Sequence, residues 1–108
     1  MLADDCRRLV GPNTGWSSLG VVVGANYAEQ ADRVRQRLPE ALFLVPGFGA
    51  QGASAEQAVR AFRAGSGGRE GGIVNSSRAI LYPACESWEM GFEAALDQAI
   101  DRLGEAVR

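Results

Sequence analysis

Three short apolar runs, separated by segments with helical periodicity, constrain the fold of this chain more than any other feature. The runs are Leu19–Val23, Ala41–Val45 and the shorter Gly72–Asn75. A run that is apolar at consecutive positions is typical of a strand buried on both faces, as strands of parallel sheets usually are. The order of one helix, followed by a strand and a helix three times, therefore predicts an α/β fold with three parallel strands.

Polar residues at characteristic spacing mark where the intervening helices begin. Asn26 with Glu29, and Ser54 with Gln57, each have the spacing of a capping box,. Ser87 is expected to cap the last helix, which has apolar residues along one side. The side consists of Trp88, Phe92, Leu96, Ala99, Leu103 and Val107.

Turn residues separate these elements. A first helix is expected over Leu2–Val10, Pro39 is expected to end the second helix, and Gly65–Gly72 reads as a flexible turn,. Three parallel strands cannot close a barrel, and an open sheet leaves two edges unpaired. The chain is therefore either a small open domain or part of something larger.

The charged residues exclude several kinds of chemistry. The 108 residues include 11 cations against 13 acids, all 11 cations are arginine, and histidine is absent. Schiff-base chemistry, a histidine base and a histidine-ligated metal are thereby excluded, and the scattered arginines do not form a nucleic-acid stripe. Cys6 and Cys85 lack metal-ligand spacing and are expected to be reduced thiols. With no apolar run long enough to span a bilayer and no signal-peptide pattern, we expect a cytoplasmic protein.

The segment LVPGFGAQGAS, which follows the second apolar run, contains three glycines at G-x-G-x-x-G spacing: Gly47, Gly49 and Gly52. A dinucleotide site would need an acid about 20 residues further on, at the end of the next strand. Asn75 stands there, and Glu70 precedes the strand. The pattern therefore favours a simpler phosphate loop over a dinucleotide site.

A phosphate loop has support from the next strand along the chain. Ser76-Ser77-Arg78 follows that strand, so both loops are expected at the carboxyl edge of the sheet. Glycine lets backbone N–H groups approach phosphate oxygens, and arginine adds charge-assisted hydrogen bonds. Arg78 in a surface salt bridge and Gln51 as a solvated turn residue are the alternative interpretations.

Three segments resemble the C-terminal third of orotidine 5′-phosphate decarboxylase, in particular its longer bacterial branch. The segments are VVVGA at Val21–Ala25, FLVPGFGAQG at Phe43–Gly52 and IVNSSRAI at Ile73–Ile80. GWSSLG at Gly15–Gly20 also fits that branch. Order and spacing correspond over nearly the whole chain, and PGxGAQG with NSSR is a far more specific pair than the three glycines alone.

The resemblance implies a partial (β/α)8 barrel, with the three strands as the sixth, seventh and eighth. Residues 1–18 would be a helix and turn leading into the first of these, and residues 1–108 the C-terminal portion of the barrel. The family converts orotidine monophosphate to uridine monophosphate and CO2 in pyrimidine biosynthesis. It uses no metal or organic cofactor, works as a homodimer, and implies no nucleic-acid or membrane partner.

The same resemblance assigns binding roles to particular residues. Arg78 would grip the substrate phosphate, Gln51 would bridge phosphate and pyrimidine, and Pro46 would contact the pyrimidine. The residues expected to line the phosphate pocket are Gly49, Gly52 and Ser77.

Catalysis in the family depends on an alternating Lys-Asp network carried by earlier strands, and this chain has no lysine. Arginine holds its proton too firmly to replace the lysine that protonates the reacting carbon. No catalytic residue is therefore expected here, and the isolated chain is expected to be inactive. A truncated gene product is favoured over a purposeful small protein, because a full barrel needs roughly 250 residues. The alternatives are a non-catalytic nucleotide-binding half-barrel and a related phosphosugar decarboxylase, against which NSSR argues.

Overall fold

A computed structural model of the chain describes residues 1–49, 53–76, 80–81 and 88–108. Helices and strands alternate along it, as predicted. The helices are α1 (Leu2–Arg8), α2 (Ala28–Arg37), α3 (Ala55–Val59) and α4 (Trp88–Val107). The strands are β1 (Gly20–Val22), β2 (Leu42–Val45), β3 (Arg63–Gly65), β4 (Gly68–Glu70) and β5 (Gly72–Val74). No described helix has both the length and the apolar character needed to cross a membrane.

The main sheet contains β1, β2 and β5 in that order, and both pairings are parallel. The prediction of an α/β fold with three parallel strands is confirmed. Each strand is shorter than its apolar run, and Ala41 and Asn75 lie outside the strands. With β2 in the centre, β1 and β5 each have one edge without a partner strand among the described residues.

Only one face of this sheet is covered by the described helices. Phe43 and Val45 point to that face and are buried in the core. On the other face, Leu44 is paired in register with Val22 on one side and Ile73 on the other. These three side chains are 42%, 69% and 64% exposed, respectively. The prediction of burial on both faces is therefore wrong for the described residues, and an apolar row across the sheet faces outwards.

One of the two predicted capping boxes is present. The Ser54 hydroxyl accepts from the Gln57 N–H (3.1 Å), and the Gln57 side-chain oxygen accepts from the Ser54 N–H (2.9 Å). The box predicted for Asn26 is wrong, because α2 begins after Tyr27 and has no side-chain cap hydrogen bond. The Ala25 N–H donates to the Pro46 carbonyl. This hydrogen bond holds the loop that follows β1, so that α2 begins only at Ala28.

The segment expected to be a flexible turn instead contains an antiparallel hairpin. Arg63 pairs with Glu70 and Gly65 with Gly68, so β3 and β4 are joined by a two-residue connection. Gly68 has φ of 125°, and an added Cβ would overlap the backbone carbonyl of Val107. Glycine is therefore needed both for the turn and for the close approach of the end of α4.

Arg35 connects several segments at the amino end of the sheet. Its guanidinium nitrogens donate to five backbone carbonyl oxygens at 2.7–3.2 Å. The acceptors belong to Leu38, Pro39, Ala41, Ala61 and Gly71. Two of these residues directly precede β2 and β5. Arg35 therefore ties the starts of two neighbouring strands to the end of its own helix.

Aromatic rings complete this arrangement, which we call the Arg35 clamp. The Arg35 guanidinium lies 3.9 Å from the centroid of the Phe43 ring. The centroid of the Trp16 ring lies 5.5 Å from the Arg35 guanidinium and 4.0 Å from that of Arg63. Desolvation by burial lowers the pKa of Arg35 from its ordinary value, and the positive charge of Arg63 lowers it further. The five carbonyls and the ring faces offset the cost of burying this cation.

Candidate functional site

The loops that follow β2 and β5 lie side by side at the carboxyl edge of the sheet. The Asn75 N–H donates to the Val45 carbonyl at 3.2 Å, and the Ser76 hydroxyl donates to the Phe48 carbonyl at 2.8 Å. Carboxyl ends of parallel strands share one edge, which is where α/β proteins commonly bind ligands. The Ser76–Phe48 hydrogen bond joins the two loops that the sequence places together.

Two glycines shape the loop after β2, which we call the glycine loop (46–54). Gly47 has φ of 98° and Gly49 has φ of 83°, values that residues with a Cβ rarely adopt,. Between them, Phe48 is 6% exposed and fixes the loop to the core. The Gly49 N–H donates to the Ala53 carbonyl at 3.3 Å, which brings the two described ends of the loop together.

Two of the six predicted binding residues can be located. Pro46 is half-buried, and its carbonyl accepts a hydrogen bond from the Ala25 N–H. The loop after β1 is therefore attached to the loop after β2 at the carboxyl ends of the strands. Gly49 is exposed beside it. The other four predicted binding residues lie outside the described part of the chain: Gln51, Gly52, Ser77 and Arg78. Ser87 and Cys85 lie outside it as well.

Two cavities open beside Phe48 and Gly49. The larger, of about 490 Å³, is also lined by Ser54, Glu56 and two residues of α4, Arg102 and Glu105. Both a cation and two carboxylates therefore border this space.

The smaller cavity, of about 80 Å³, has a different lining. Its polar side chains belong to Ser76, Gln98 and Arg102. Sequence reasoning did not single out Gln98 or Arg102, which are exposed residues of an amphipathic helix. The available signal was their spacing of four, which places two hydrogen-bond donors on one side of α4.

The described residues contain no group of three or more histidine, cysteine, aspartate or glutamate side chains arranged to hold a metal ion. Besides the carboxylates of Glu56 and Glu105, the polar groups around the glycine loop are hydroxyl, amide and guanidinium groups, together with backbone N–H groups. These are hydrogen-bond donors of the kind that bind oxyanions.

The architecture defines a class before any relative is considered: an α/β protein with an open sheet of three parallel strands and loops gathered at their carboxyl ends. No protein family model matches the chain. Curated relatives are nevertheless clear. The chain is 42% identical over 98 residues to orotidine 5′-phosphate decarboxylase of Clostridium perfringens, covering 86% of this chain and 33% of the relative. It is 43% identical over 103 residues to the enzyme of that name from Paracidovorax citrulli, covering 94% and 35%.

Solved structures give the same result. The chain matches Leishmania donovani OMP decarboxylase with a TM-score of 0.66 and 31% identity, over 96% of this chain and 37% of that one. It matches Leishmania donovani UMP synthase with a TM-score of 0.57 and 35% identity, over 93% and 22%. The predicted resemblance to the C-terminal part of orotidine 5′-phosphate decarboxylase is confirmed. The chain spans about a third of the length of these curated relatives.

Proposed function

We propose that this chain is the phosphate-binding C-terminal part of an orotidine 5′-phosphate decarboxylase, and that it does not catalyse decarboxylation alone. The observation that carries the proposal is the Ser76–Phe48 hydrogen bond, which holds the glycine loop against the loop that leads to Arg78. Similarity to the decarboxylases supports the identity of the ligand, a pyrimidine nucleoside 5′-monophosphate. Residues 1–18 lead into the first of the three strands, and we expect the protein to act in the cytoplasm.

The proposed division of labour within the site follows the chemistry of each group. Arg78 binds phosphate oxygens through a two-pronged charged contact, and Gln51 bridges phosphate and pyrimidine. Pro46 contacts the pyrimidine, because the rigid apolar ring of proline can pack against a flat base. The backbone around Gly49 and Gly52, together with Ser77, lines the phosphate pocket, because N–H groups near glycine are sterically accessible.

Inactivity of the isolated chain follows from its composition. Removal of CO2 leaves a carbanionic centre that must be protonated, and the family uses a lysine ammonium flanked by carboxylates for this step. The chain contains no lysine. It can supply phosphate binding, but the proton donor must come from other strands.

The outward apolar row formed by Val22, Leu44 and Ile73 indicates that another part of a protein normally covers this face of the sheet. Exposed apolar surface and unpaired parallel strands are costly in water. We propose that the remaining strands of a decarboxylase barrel cover this face, and that the completed barrel forms the homodimer typical of the family. Alone, the chain is expected to self-associate, and a monodisperse monomer in light scattering would contradict this expectation.

Binding is tested with the chain alone. Uridine monophosphate should raise its melting temperature, whereas uridine at the same concentration should not, because phosphate carries the recognition. Arg78→Ala should abolish the shift, and Arg33→Ala, an exposed arginine on α2, should keep it. Identical melting temperatures with uridine monophosphate, inorganic phosphate and buffer would rule out binding by the isolated chain.

Catalysis is tested by complementation. Orotidine monophosphate decarboxylation should be undetectable with the chain alone and should appear when the first two thirds of the Clostridium perfringens relative is added. Arg78→Ala in this chain should remove the restored activity. Turnover by the chain alone would refute the proposed inactivity. A chain that binds nucleotide but never restores activity would instead be the non-catalytic binding module considered above.

A further inference from the structure

The smaller cavity beside the glycine loop has a wall that the similarity to decarboxylases does not assign. Four residues of α4 line it at helical spacing,. They are Ala95, Gln98, Ala99 and Arg102. Ala99 is buried in the core, and its small side chain lets Phe48 and Gly49 lie close to the helix. Gln98 and Arg102 therefore border the same small space as Ser76.

The charge around this cavity suits an anion. Among the described residues, its lining contains one guanidinium and no carboxylate, whereas the lining of the larger cavity also includes Glu56 and Glu105. Among the described residues, the ion pairs of arginine side chains involve Arg7, Arg8 and Arg60, and Arg102 has none. Its guanidinium keeps its hydrogen-bond donors available within that part of the chain.

A phosphate monoester carries more negative charge than one arginine neutralises. Near pH 7 such a group carries a charge of about −1.5 to −2. Arg78 would supply one positive charge in the proposed site. A second guanidinium approaching Gly49 from α4 would bring the site close to neutrality, and the Gln98 amide would add two N–H donors.

We propose that Arg102 and Gln98 form a second oxyanion-binding wall, which contacts the phosphate of a nucleoside monophosphate from the side of α4. This inference rests on the proposed function, because it takes the glycine loop as the phosphate site. It adds a specificity element from outside the two strand-end loops. The phosphate is then held between Ser76 and the terminal helix, which line the same cavity.

The test is titration of the full chain with uridine monophosphate and, separately, uridine. Arg102→Ala should raise the Kd for uridine monophosphate about tenfold, as expected for loss of a charged hydrogen-bonding partner. Arg102→Lys should lose less, since it keeps the charge but not the planar fork. Gln98→Ala should raise the Kd by a smaller factor. Arg33→Ala is the matched control and should leave it unchanged.

Parallel titration of Arg78→Ala separates this inference from the proposed function. If Arg78→Ala weakens binding and Arg102→Ala does not, the second wall is wrong and the proposed function stands. If only Arg102→Ala weakens binding, the anion is held at α4 and the assignment of Arg78 is wrong. A ligand-free melting temperature of Arg102→Ala well below that of the unsubstituted chain would indicate that the loss of binding is a structural effect, and it would overturn the inference. Absence of uridine monophosphate binding by the unsubstituted chain would overturn both.

Discussion

The two ends of the three-stranded sheet are built from different kinds of interaction. At the amino end, Arg35 donates to five backbone carbonyls, and two guanidinium groups lie close to the Trp16 ring. At the carboxyl end, one backbone hydrogen bond joins the described ends of the glycine loop, Ser76 donates to Phe48, and two cavities lie beside Phe48 and Gly49.

This contrast indicates that the amino end of the sheet contributes mainly to stability and the carboxyl end mainly to ligand binding. At the amino end the Arg35 guanidinium has its donors paired within the protein. Among the described residues, the Glu40 Oε2 atom there is buried without a hydrogen-bond partner, and a cavity of about 400 Å³ borders Trp16 and Leu42. The carboxyl end keeps donors such as Arg102 and Gln98 beside open space. In (β/α)8 barrels the same division assigns stability to the amino face and ligand binding to the carboxyl face. Substitutions at the two ends should therefore have different consequences.

The largest effect is expected from Arg35→Ala. It removes five hydrogen bonds and two ring contacts, although the Leu38, Pro39 and Gly71 carbonyls each keep another donor. The free energy of unfolding should fall by about 3 kcal/mol. Arg35→Lys should lose nearly as much, because one ammonium group cannot reach acceptors on four segments. Urea unfolding followed by circular dichroism measures the change.

The matched control for Arg35 is Arg33→Ala, on the exposed side of the same helix. It should change the free energy of unfolding by less than about 0.5 kcal/mol. Comparable losses for the two variants would mean that the clamp contributes no more than a surface arginine, and the contrast between the ends would fail.

Gly71→Ala should have the next largest effect. Gly71 has φ of 99°, and an added Cβ would overlap the Trp16 ring. Backbone strain and displacement of the ring together should cost about 2–3 kcal/mol in thermal or urea unfolding. Gly15→Ala measures the backbone strain alone, since Gly15 has φ of 72° but open space around it. Equal losses would show that Trp16 moves aside freely and that the clamp is loosely packed.

The sequence predicts the parts of the fold that depend on local pattern. Apolar runs locate β1, β2 and β5, because a parallel strand between helices reads as a continuous apolar segment. The Ser54–Gln57 box is likewise a local interaction and is found as predicted. The hairpin of β3 and β4 had a local signal as well, a two-residue Ser-Gly connection, but the surrounding glycines were read as a flexible turn.

Features that depend on distant segments could not be predicted. Arg35 reads as a polar residue of an amphipathic helix, and only the folded chain brings the Ala61 and Gly71 carbonyls to it. Asn26 has the sequence of a helix cap, but the Ala25–Pro46 hydrogen bond shifts the start of α2. Arg102 lies 53 positions beyond Gly49, and its spacing of four from Gln98 does not indicate which distant segment that side of α4 will face.

Ser76→Ala should have the smallest effect on stability and a selective effect on binding. Loss of its hydrogen bond to Phe48 should cost about 1 kcal/mol of unfolding free energy, since one neutral hydrogen bond is removed. The same change frees the two strand-end loops from each other and should weaken uridine monophosphate binding while Arg78 is still present. Ser18→Ala is the control from the amino end, where the hydroxyl lies 3.5 Å from the Leu9 carbonyl, and it should leave binding unchanged. If both serine variants bind uridine monophosphate as tightly as the parent chain does, the Ser76–Phe48 hydrogen bond does not position the phosphate loop, and the two ends differ in stability alone.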